Sequence, residues 1–176
     1  MKHILALILF FVISVANADT FYVANNGKVE AYLLGSQAGY TNMFSASFED
    51  PNVSPAYFST WLSNKGLIGS SIDFGTQIKH TPVLFVDKII NTNDWFYSEQ
   101  SFNADSLVHM MYHQIYMQDG TPAVILHWED LLGGGDLDYN DHVILVTNIT
   151  SAVPEPSALW MVLAGLMILP MVTKRK

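Results

Sequence analysis

The sequence predicts an all-β domain, a β-sandwich or jelly-roll-like fold, flanked by a signal peptide and a C-terminal apolar helix. Three observations predict this architecture. Short stretches rich in β-branched and aromatic residues alternate with Gly, Asn, Asp, Ser and Pro, as they do in antiparallel sandwiches. Helix signals are sparse in the middle of the chain. Each end carries an apolar run beside basic residues, which is typical of an addressing signal.

Six stretches are predicted to be strands, and they are residues 20–24, 29–34, 82–90, 107–117, 123–128 and 142–149. Asn25-Asn26-Gly27 separates the first two, which are expected to pair because Asn-Gly favours a hairpin turn. Residues 118–122 form a second expected turn, between 107–117 and 123–128. One helix is expected over residues 54–64, since Ser54 can cap it and Pro55 suits its first position.

The N-terminal end is predicted to be a secretory signal peptide over residues 1–18. Lys2 supplies the positive start, and a nearly unbroken apolar run follows from Ile4 to Val15. Ala16 and Ala18 form a small-x-small cleavage site. Signal peptidase is therefore expected to cut after Ala18.

The C-terminal end is predicted to consist of a linker at 151–157, a transmembrane sorting helix at 158–173 and a basic cytoplasmic end at 174–176. The residues that carry this prediction are Pro154, Glu155, Pro156, Lys174, Arg175 and Lys176. A Pro-Glu-Pro tripeptide, a short apolar helix and a basic terminus together resemble the PEP-CTERM sorting signal of Gram-negative bacteria. The resemblance implies that an exosortase-type membrane protease cuts near the tripeptide.

The two ends predict where the protein goes. An exported precursor would be inserted in the inner membrane and would finish in the cell envelope, at the surface or in an extracellular matrix. The extracellular β-sandwich is expected at residues 19–150. With 0 cysteines in the chain, this domain cannot be held together by disulfides.

The predicted domain is strongly acidic. Between Asp19 and Val153 the chain carries four lysines and fifteen acidic residues, a formal charge of -11. Such a surface repels nucleic acid, which is excluded as a partner, and it attracts cations.

Residues 127–142, HWEDLLGGGDLDYNDH, concentrate the acidic side chains. The nearest Lys or Arg residues in the sequence are Lys88 and Lys174, so no sequence neighbour neutralises the carboxylates. Calcium takes six to eight oxygen ligands from carboxylates, amides and carbonyls. The candidate ligands of a calcium site are Asp136, Asp138, Asn140 and Asp141, with Glu129 or Asp130 completing the shell.

The spacing from Asp136 to Asn140 matches the start of an EF-hand loop, but the match then fails. Asp141 stands where that loop needs glycine, and Thr147 stands where it needs glutamate. A different calcium loop between two strands is the favoured interpretation. The alternative is a structural turn whose Asp and Asn side chains cap backbone amides.

These residues also resemble a bacterial domain-of-unknown-function family found in secreted and surface proteins. Its hallmark is an aromatic residue, Glu-Asp, a glycine-rich gap and Asp-x-Asp-[Tyr/Phe]-Asn-Asp before an apolar strand. The chain matches it from Trp128 to Val146, and more weakly through Asn103, Asp105 and His109. The resemblance spans about residues 75–150. It implies extracellular β-structure and no particular reaction.

Three other sites remain open. His109 and His113 could bind zinc together with His127 or His142. Glu129 with Asp138 or Asp141 could serve a glycoside hydrolase, which needs two carboxylates. The run from Asp94 to Tyr97 is hard to bury completely, because alternation along a strand exposes one side. Trp95 and Tyr97, together with other aromatics such as Trp61, could therefore contact a glycan.

The sequence thus favours a non-enzymatic surface or exopolysaccharide-matrix protein with a calcium-stabilised β-domain in a structural or adhesive role. A carbohydrate-binding module that uses exposed aromatics is the alternative, and a glycoside hydrolase is the third interpretation.

Overall fold

Two antiparallel sheets make up the part of the chain that the computed structural model describes, residues 20–50 and 57–151. Every strand pairing is antiparallel. The first sheet contains β1 (Phe21–Val23), β3 (Asn42–Ser47), β4 (Leu62–Ser63), β6 (Pro82–Ile89), β7 (Trp95–Tyr97) and β11 (Ile149–Ser151). The second contains β2 (Gly27–Gly35), β5 (Ser71–Gln77), β8 (Met110–Tyr116), β9 (Pro122–Trp128) and β10 (His142–Thr147). A 3₁₀ turn at Gln100–Phe102 follows β7.

The order of strands is β11-β1-β6-β3-β4 in the first sheet, with β7 pairing β6, and β5-β2-β10-β9-β8 in the second. The fold is therefore the predicted β-sandwich.

The core lies between the sheets and is rich in aromatic side chains. Phe44 of the first sheet meets Trp128 of the second, with ring centroids 6.5 Å apart. Phe21 meets Tyr112 edge-on at 4.9 Å. Phe21, Phe44 and Trp128 are completely buried. Alternation along β9 and β10 supplies the facing aliphatic side chains, so each strand gives one face to the core.

The hairpin expected between residues 20–24 and 29–34 is wrong. Both segments are strands, but β1 pairs with β6 and β11, whereas β2 pairs with β5 and β10. The intervening Asn25-Asn26-Gly27 carries the chain from one sheet to the other. The side chain of Asn148 stabilises this corner through two hydrogen bonds. Its Oδ1 accepts from the Asn25 amide at 2.9 Å, and its Nδ2 donates to the Asn25 carbonyl at 2.8 Å.

The strand expected over 142–149 is interrupted at the same corner. Asn148 has φ 59°, and the chain changes sheets there, so β10 ends at Thr147 and β11 begins at Ile149. By contrast, β8 and β9 pair across residues 117–121 as the sequence predicted.

The helix expected over residues 54–64 is also wrong for its described part, 57–64. Asn42 and Asn64 exchange hydrogen bonds, from the Asn42 amide to Asn64 Oδ1 at 3.0 Å and from the Asn64 amide to the Asn42 carbonyl at 3.1 Å. Leu62 is buried against the core. Pairing with the edge of β3 therefore overrides the local helix signals of Ser54 and Pro55.

The described residues begin at 20 and end at 151, so the predicted signal peptide, Pro-Glu-Pro motif, sorting helix and basic end lie outside them. Within 20–50 and 57–151, no helix has the length and apolar character needed to cross a membrane.

Candidate metal centre

The acidic loop, residues 129–141, connects β9 to β10 at one end of the second sheet. Its two ends are tied to each other. The Asp141 amide donates to the Trp128 carbonyl at 3.2 Å, and the Asp130 amide donates to Asp141 Oδ2 at 3.0 Å. Paired strands therefore hold Glu129, Asp130 and Asp141 in place, while the rest of the loop lies outside the sandwich.

Two overlapping groups of carboxylates converge in this loop. Glu129, Asp136 and Asp138 form one group, and Glu129, Asp130 and Asp141 form the other. Within each group, one oxygen of every residue lies within 4.8 Å of the others, a spacing that could hold a metal ion. All five acidic residues predicted as ligands are thus brought together, and Glu129 belongs to both groups.

Asn140, the sixth predicted ligand, lies beside these groups and binds one of their members. Its side-chain amide donates to Asp138 Oδ2, and its own backbone amide donates to Asp138 Oδ1 at 3.2 Å. The Asn140 carbonyl accepts from the Gln37 amide at 3.0 Å. Asn140 therefore orients Asp138 and attaches the loop to the end of β2.

Two carboxylate oxygens of the centre are buried without a hydrogen-bond partner, Glu129 Oε2 and Asp130 Oδ2. Glu129 is 1% exposed and Asp130 is 5% exposed. A buried, unpaired carboxylate is costly, and most buried polar atoms in native proteins are satisfied. The sandwich therefore buries two carboxylate oxygens that no hydrogen bond from the described residues satisfies.

The titration of these acids reflects the same shortage of positive charge. Burial, reinforced by repulsion from Asp141 and Asp136, raises the pKa of Glu129 to about 7. Burial and repulsion from Asp141 raise the pKa of Asp130 to about 6. Burial also raises the pKa of Asp141. In the absence of a cation, the centre holds protons near neutral pH.

Gly135 allows the loop to close over Glu129. Its φ is +48°, and a Cβ built there would overlap Glu129 Oε1 and lie 2.8 Å from Cδ of the same side chain. A larger residue would have to displace the carboxylate that both acid groups share. The glycine-rich gap is therefore required by close approach to Glu129, as well as by backbone conformation.

A second set of polar residues fixes the loop from the side of β8. His109, which is completely buried, has Nε2 2.9 Å from Asp105 Oδ2 and Nδ1 3.2 Å from the Glu129 carbonyl. Asp105 Oδ2 also accepts from the Gly133 amide at 2.9 Å. Although burial acts to raise it, the pKa of Asp105 falls to about 2, because Gly133, His109 and Leu107 donate hydrogen bonds to the carboxylate.

This arrangement gives the weak upstream motif of the sequence a structural explanation. Asn103 accepts from the Tyr97 amide at 2.7 Å and donates to the Leu107 carbonyl at 2.8 Å. It thereby shapes the turn that presents Asp105 and His109 to the acidic loop. These three residues position the loop, and none of them belongs to the two acid groups.

Sequence reasoning missed a buried polar pair that lies behind the centre. His142 Nδ1 is 2.9 Å from Asp87 Oδ1, which links β10 to β6 across the core, and both side chains are fully buried. Asn42 donates to Asp87 Oδ2 at 3.1 Å and also lowers the pKa of Asp130. The only sequence signal was Asp87 interrupting an otherwise apolar strand.

The histidines considered as zinc ligands do not come together in one site. His113 and His127 do meet, with ring centroids 5.3 Å apart, but His109 is engaged with the half-buried Asp105 and His142 with the buried Asp87. Throughout the described segments, both potential metal groups consist of acids alone.

Two properties of Glu129 bear on the hydrolase alternative, its pKa in favour and its burial against. The raised pKa of Glu129 would suit a general acid, a feature that the sequence did not single out. However, Glu129 is 1% exposed, so a glycosidic oxygen cannot reach its carboxyl group in this structure. In this structure Glu129 is therefore not placed to act as the general acid of a glycoside hydrolase.

The pKa values predict how pH affects stability in the absence of calcium. Glu129 and Asp130 bind protons more tightly in the folded chain than at their ordinary values of 4.5 and 3.8. The stability that these two groups contribute is therefore fully present below those values and is lost as pH rises to about 7. We expect the melting temperature in chelator to fall by about 5–10 °C between pH 5 and pH 7.5, measured by circular dichroism. Constant or rising stability over that range would contradict the assignment.

The two predicted glycan contacts, Trp95 and Tyr97, belong to neither of the two acid groups. Trp95 and Tyr97 are half-buried on the outer side of β7, while Phe96 between them is completely buried, so the predicted alternation holds.

Comparison with solved structures finds bacterial lectins at low similarity. One is the Ralstonia solanacearum high-affinity mannose-binding lectin, with 14% identity, 73% of this chain and 94% of the lectin covered, and a TM-score of 0.44. Another is the C-terminal domain of the BC2L-C lectin from Burkholderia cenocepacia, with 16% identity, 73% and 92% covered, and a TM-score of 0.44. The Chromobacterium violaceum lectin CV2L, in complex with alpha-methyl-fucoside, has 16% identity, 73% and 94% covered, and a TM-score of 0.42.

No curated protein matches the chain significantly in sequence. A family model described as "Domain of unknown function (DUF4114)" matches residues 58–148, just over half of the 176-residue chain. The match contains the whole acidic loop together with the Asn103, Asp105 and His109 segment.

Proposed function

Because the chain belongs to the DUF4114 family, which is described only as a domain of unknown function, we propose its function from the acidic loop: the domain binds calcium. The observation that carries the proposal is the pair of buried, unpartnered oxygens, Glu129 Oε2 and Asp130 Oδ2. They lie in two carboxylate groups that meet at Glu129. A divalent cation would satisfy both oxygens and offset the burial and the repulsion that together raise the pKa of Glu129.

The donor set favours calcium among the common metals. Every side chain in the two groups offers oxygen, and neither group contains the nitrogen or sulfur ligands typical of zinc. Magnesium requires near-ideal octahedral geometry, whereas calcium accepts six to eight oxygens in flexible arrangements. A loop that mixes buried Glu129 with exposed Asp136 and Asp138 suits the less demanding ion.

The effect of the ion on the fold follows from where the ligands lie. Glu129 follows the end of β9, and Asp141 precedes the start of β10. Calcium would therefore join the ends of two central strands to the otherwise exposed loop. We propose that the domain is a non-enzymatic, calcium-stabilised scaffold with a structural or adhesive role.

Calorimetric titration of the full chain with calcium, in a polyoxyethylene detergent at pH 7.5, tests the proposal. We expect saturable binding with a Kd at or below about 1 mM, the range of extracellular calcium modules. Magnesium should bind more weakly. The Asp136→Asn, Asp138→Asn double variant should lose at least part of the heat, whereas Asp119→Asn, in the β8–β9 turn, should titrate like the wild type. Equal titrations for all three proteins, or no binding at millimolar calcium, would reduce the loop to a structural turn.

The location of the protein is a separate proposal that rests on its ends. We propose export by the signal peptide and subsequent sorting through Pro154-Glu155-Pro156, with release or transfer to the envelope or an exopolysaccharide matrix. The mass of the mature protein checks both cleavages. It should begin at Asp19 and end near Pro156, and an intact mass of 19.6 kDa would contradict both.

A further inference from the structure

A cleft lined by aromatic rings lies on the outer side of β7, and none of its residues belongs to the acidic loop. Phe58, Trp95, Tyr97 and Phe102 supply the rings, and Asn93 and Asp94 supply polar groups. The cleft has a volume of about 640 Å³, which is within the range of sites for small molecules.

The strand beneath the cleft is firmly anchored. Phe96 is completely buried and stacks on His109, with ring centroids 3.8 Å apart and planes 20° from parallel. β7 also pairs with β6 along its whole length, with Trp95 opposite Lys88 and Tyr97 opposite Val86. Trp95 and Tyr97 therefore project from a rigid support rather than from a loose loop.

The rings also hold one another in place. Phe58 lies 6.2 Å from Trp95 and 6.5 Å from Tyr97, and Phe102 meets Tyr97 edge-on at 6.1 Å. Lys88 Nζ lies 4.6 Å from the centroid of Trp95. Side chains held in this way lose little conformational freedom when a ligand binds, so the cleft is preorganised.

We propose that this cleft binds a neutral hexose unit of a polysaccharide. The apolar C–H face of a pyranose packs against aromatic rings, and its hydroxyls hydrogen-bond to amide and carboxylate groups such as those of Asn93 and Asp94. Asp94 in the cleft and the net charge of -8 both oppose an anionic ligand such as a uronate polymer or a nucleic acid.

Affinity electrophoresis of the full chain through gels that contain mannan, dextran or alginate tests the proposal, with calcium and a sugar-free detergent present throughout. Migration should be retarded by at least one neutral polymer and not by alginate. Trp95→Ala and Tyr97→Ala should each weaken the retardation at least tenfold. Tyr116→Ala removes a 72% exposed ring from β8 and should leave it unchanged.

Two further variants separate a loss of sugar binding from a loss of folding and from sugar binding at the acidic loop. Circular dichroism checks that each variant is folded, and Phe102→Ala, which truncates a 39% exposed side chain at the rim, replaces any variant that is not. Glu129→Gln should retain sugar binding. Retardation by alginate alone, retardation by no polymer, or retardation lost in Glu129→Gln but kept in Trp95→Ala would each overturn the proposal, and the last would place sugar recognition at the acidic loop.

Discussion

Replacing Glu129 with glutamine is expected to abolish the stabilisation by calcium and, at the same time, to stabilise the calcium-free domain. Glutamine keeps the shape of the side chain, but it carries no charge and cannot bridge the two carboxylate groups. In the absence of a cation, the change removes a buried charge that Asp141, Asp136, Asp130 and Asp138 all repel. The variant thus loses the stabilisation by calcium but gains stability without calcium. A mutation that only damaged the fold would not raise the stability of the calcium-free domain.

Thermal unfolding at pH 7.5 measures both effects. Calcium at about 100 times its Kd adds about 2.7 kcal/mol to the wild type, which corresponds to about 10 °C in melting temperature. Glu129→Gln should show a calcium shift near zero. In chelator it should melt higher than the wild type by about 4 °C, which corresponds to roughly 1 kcal/mol.

Glu30→Gln is the matched control, because Glu30 lies on β2 outside both groups and its contact with the Tyr32 hydroxyl can be kept by an amide oxygen. It should show the wild-type calcium shift. If Glu129→Gln responded to calcium as the wild type does, the ion would have to bind elsewhere.

Replacing Asp105 with alanine is expected to give a large loss of stability, about 3–5 kcal/mol, although Asp105 lies outside the hydrophobic core. The change leaves His109 buried without its carboxylate partner and deprives the Gly133 amide of its acceptor. Asp105 is only partly buried, but His109 is completely buried and stays desolvated when its partner is removed. Such a loss costs more than the pair itself contributes. Urea denaturation with calcium present measures the effect.

Asp105→Asn should lose less, because its amide oxygen can still accept a hydrogen bond. Asp119→Ala serves as the comparison, since its carboxylate caps only the exposed turn between β8 and β9 and should cost about 1 kcal/mol or less. A loss in Asp105→Ala no larger than in Asp119→Ala would show that the contact with His109 contributes little.

All six expected stretches contain strands, because their signals are local, but β3, β4 and β5 were not expected. The assignment of strands to sheets was not predictable either. Runs of β-branched and aromatic residues located β9 and β10, and the turn expected at 118–122 does separate the paired strands β8 and β9. The same reasoning failed at Asn25-Asn26-Gly27, where β1 and β2 belong to different sheets. That choice depends on Asn148, which is 123 residues away and whose side chain holds the corner.

The predicted helix failed for a related reason. Ser54 and Pro55 are genuine helix-start signals, but the backbone of 60–64 bonds to β3 instead. Ser45 donates to the Thr60 carbonyl at 2.6 Å, and Asn64 pairs with Asn42. Contacts between distant segments outweigh propensities that amount to only a fraction of a kcal/mol per residue.

The density of acidic residues in the sequence identified the acidic loop, but it did not show which side chains surround these acids in the fold. Glu129 and Asp136 stood out because no basic residue lies near them in sequence. Nothing in the sequence showed that Glu129 would be the residue shared by both groups. Asp87 and Asn42 come from a different part of the chain and meet the centre only through folding. At the aromatic cleft, Trp95 and Tyr97 were singled out from the sequence as candidate glycan contacts. Phe58 and Phe102 lie beside them only through tertiary contacts.

The pairing of β1 with β11 has a consequence for how this domain can be combined with others. Phe21 lies directly opposite Ser151, so the first and last strands of the sandwich are neighbours. Partners in an antiparallel pair are separated by only about 5 Å between Cα atoms. The chain therefore enters and leaves the domain at almost the same point. Such a unit can be inserted into a surface loop of a larger protein, or excised from one, without separating the flanking segments, which makes the sandwich a portable module.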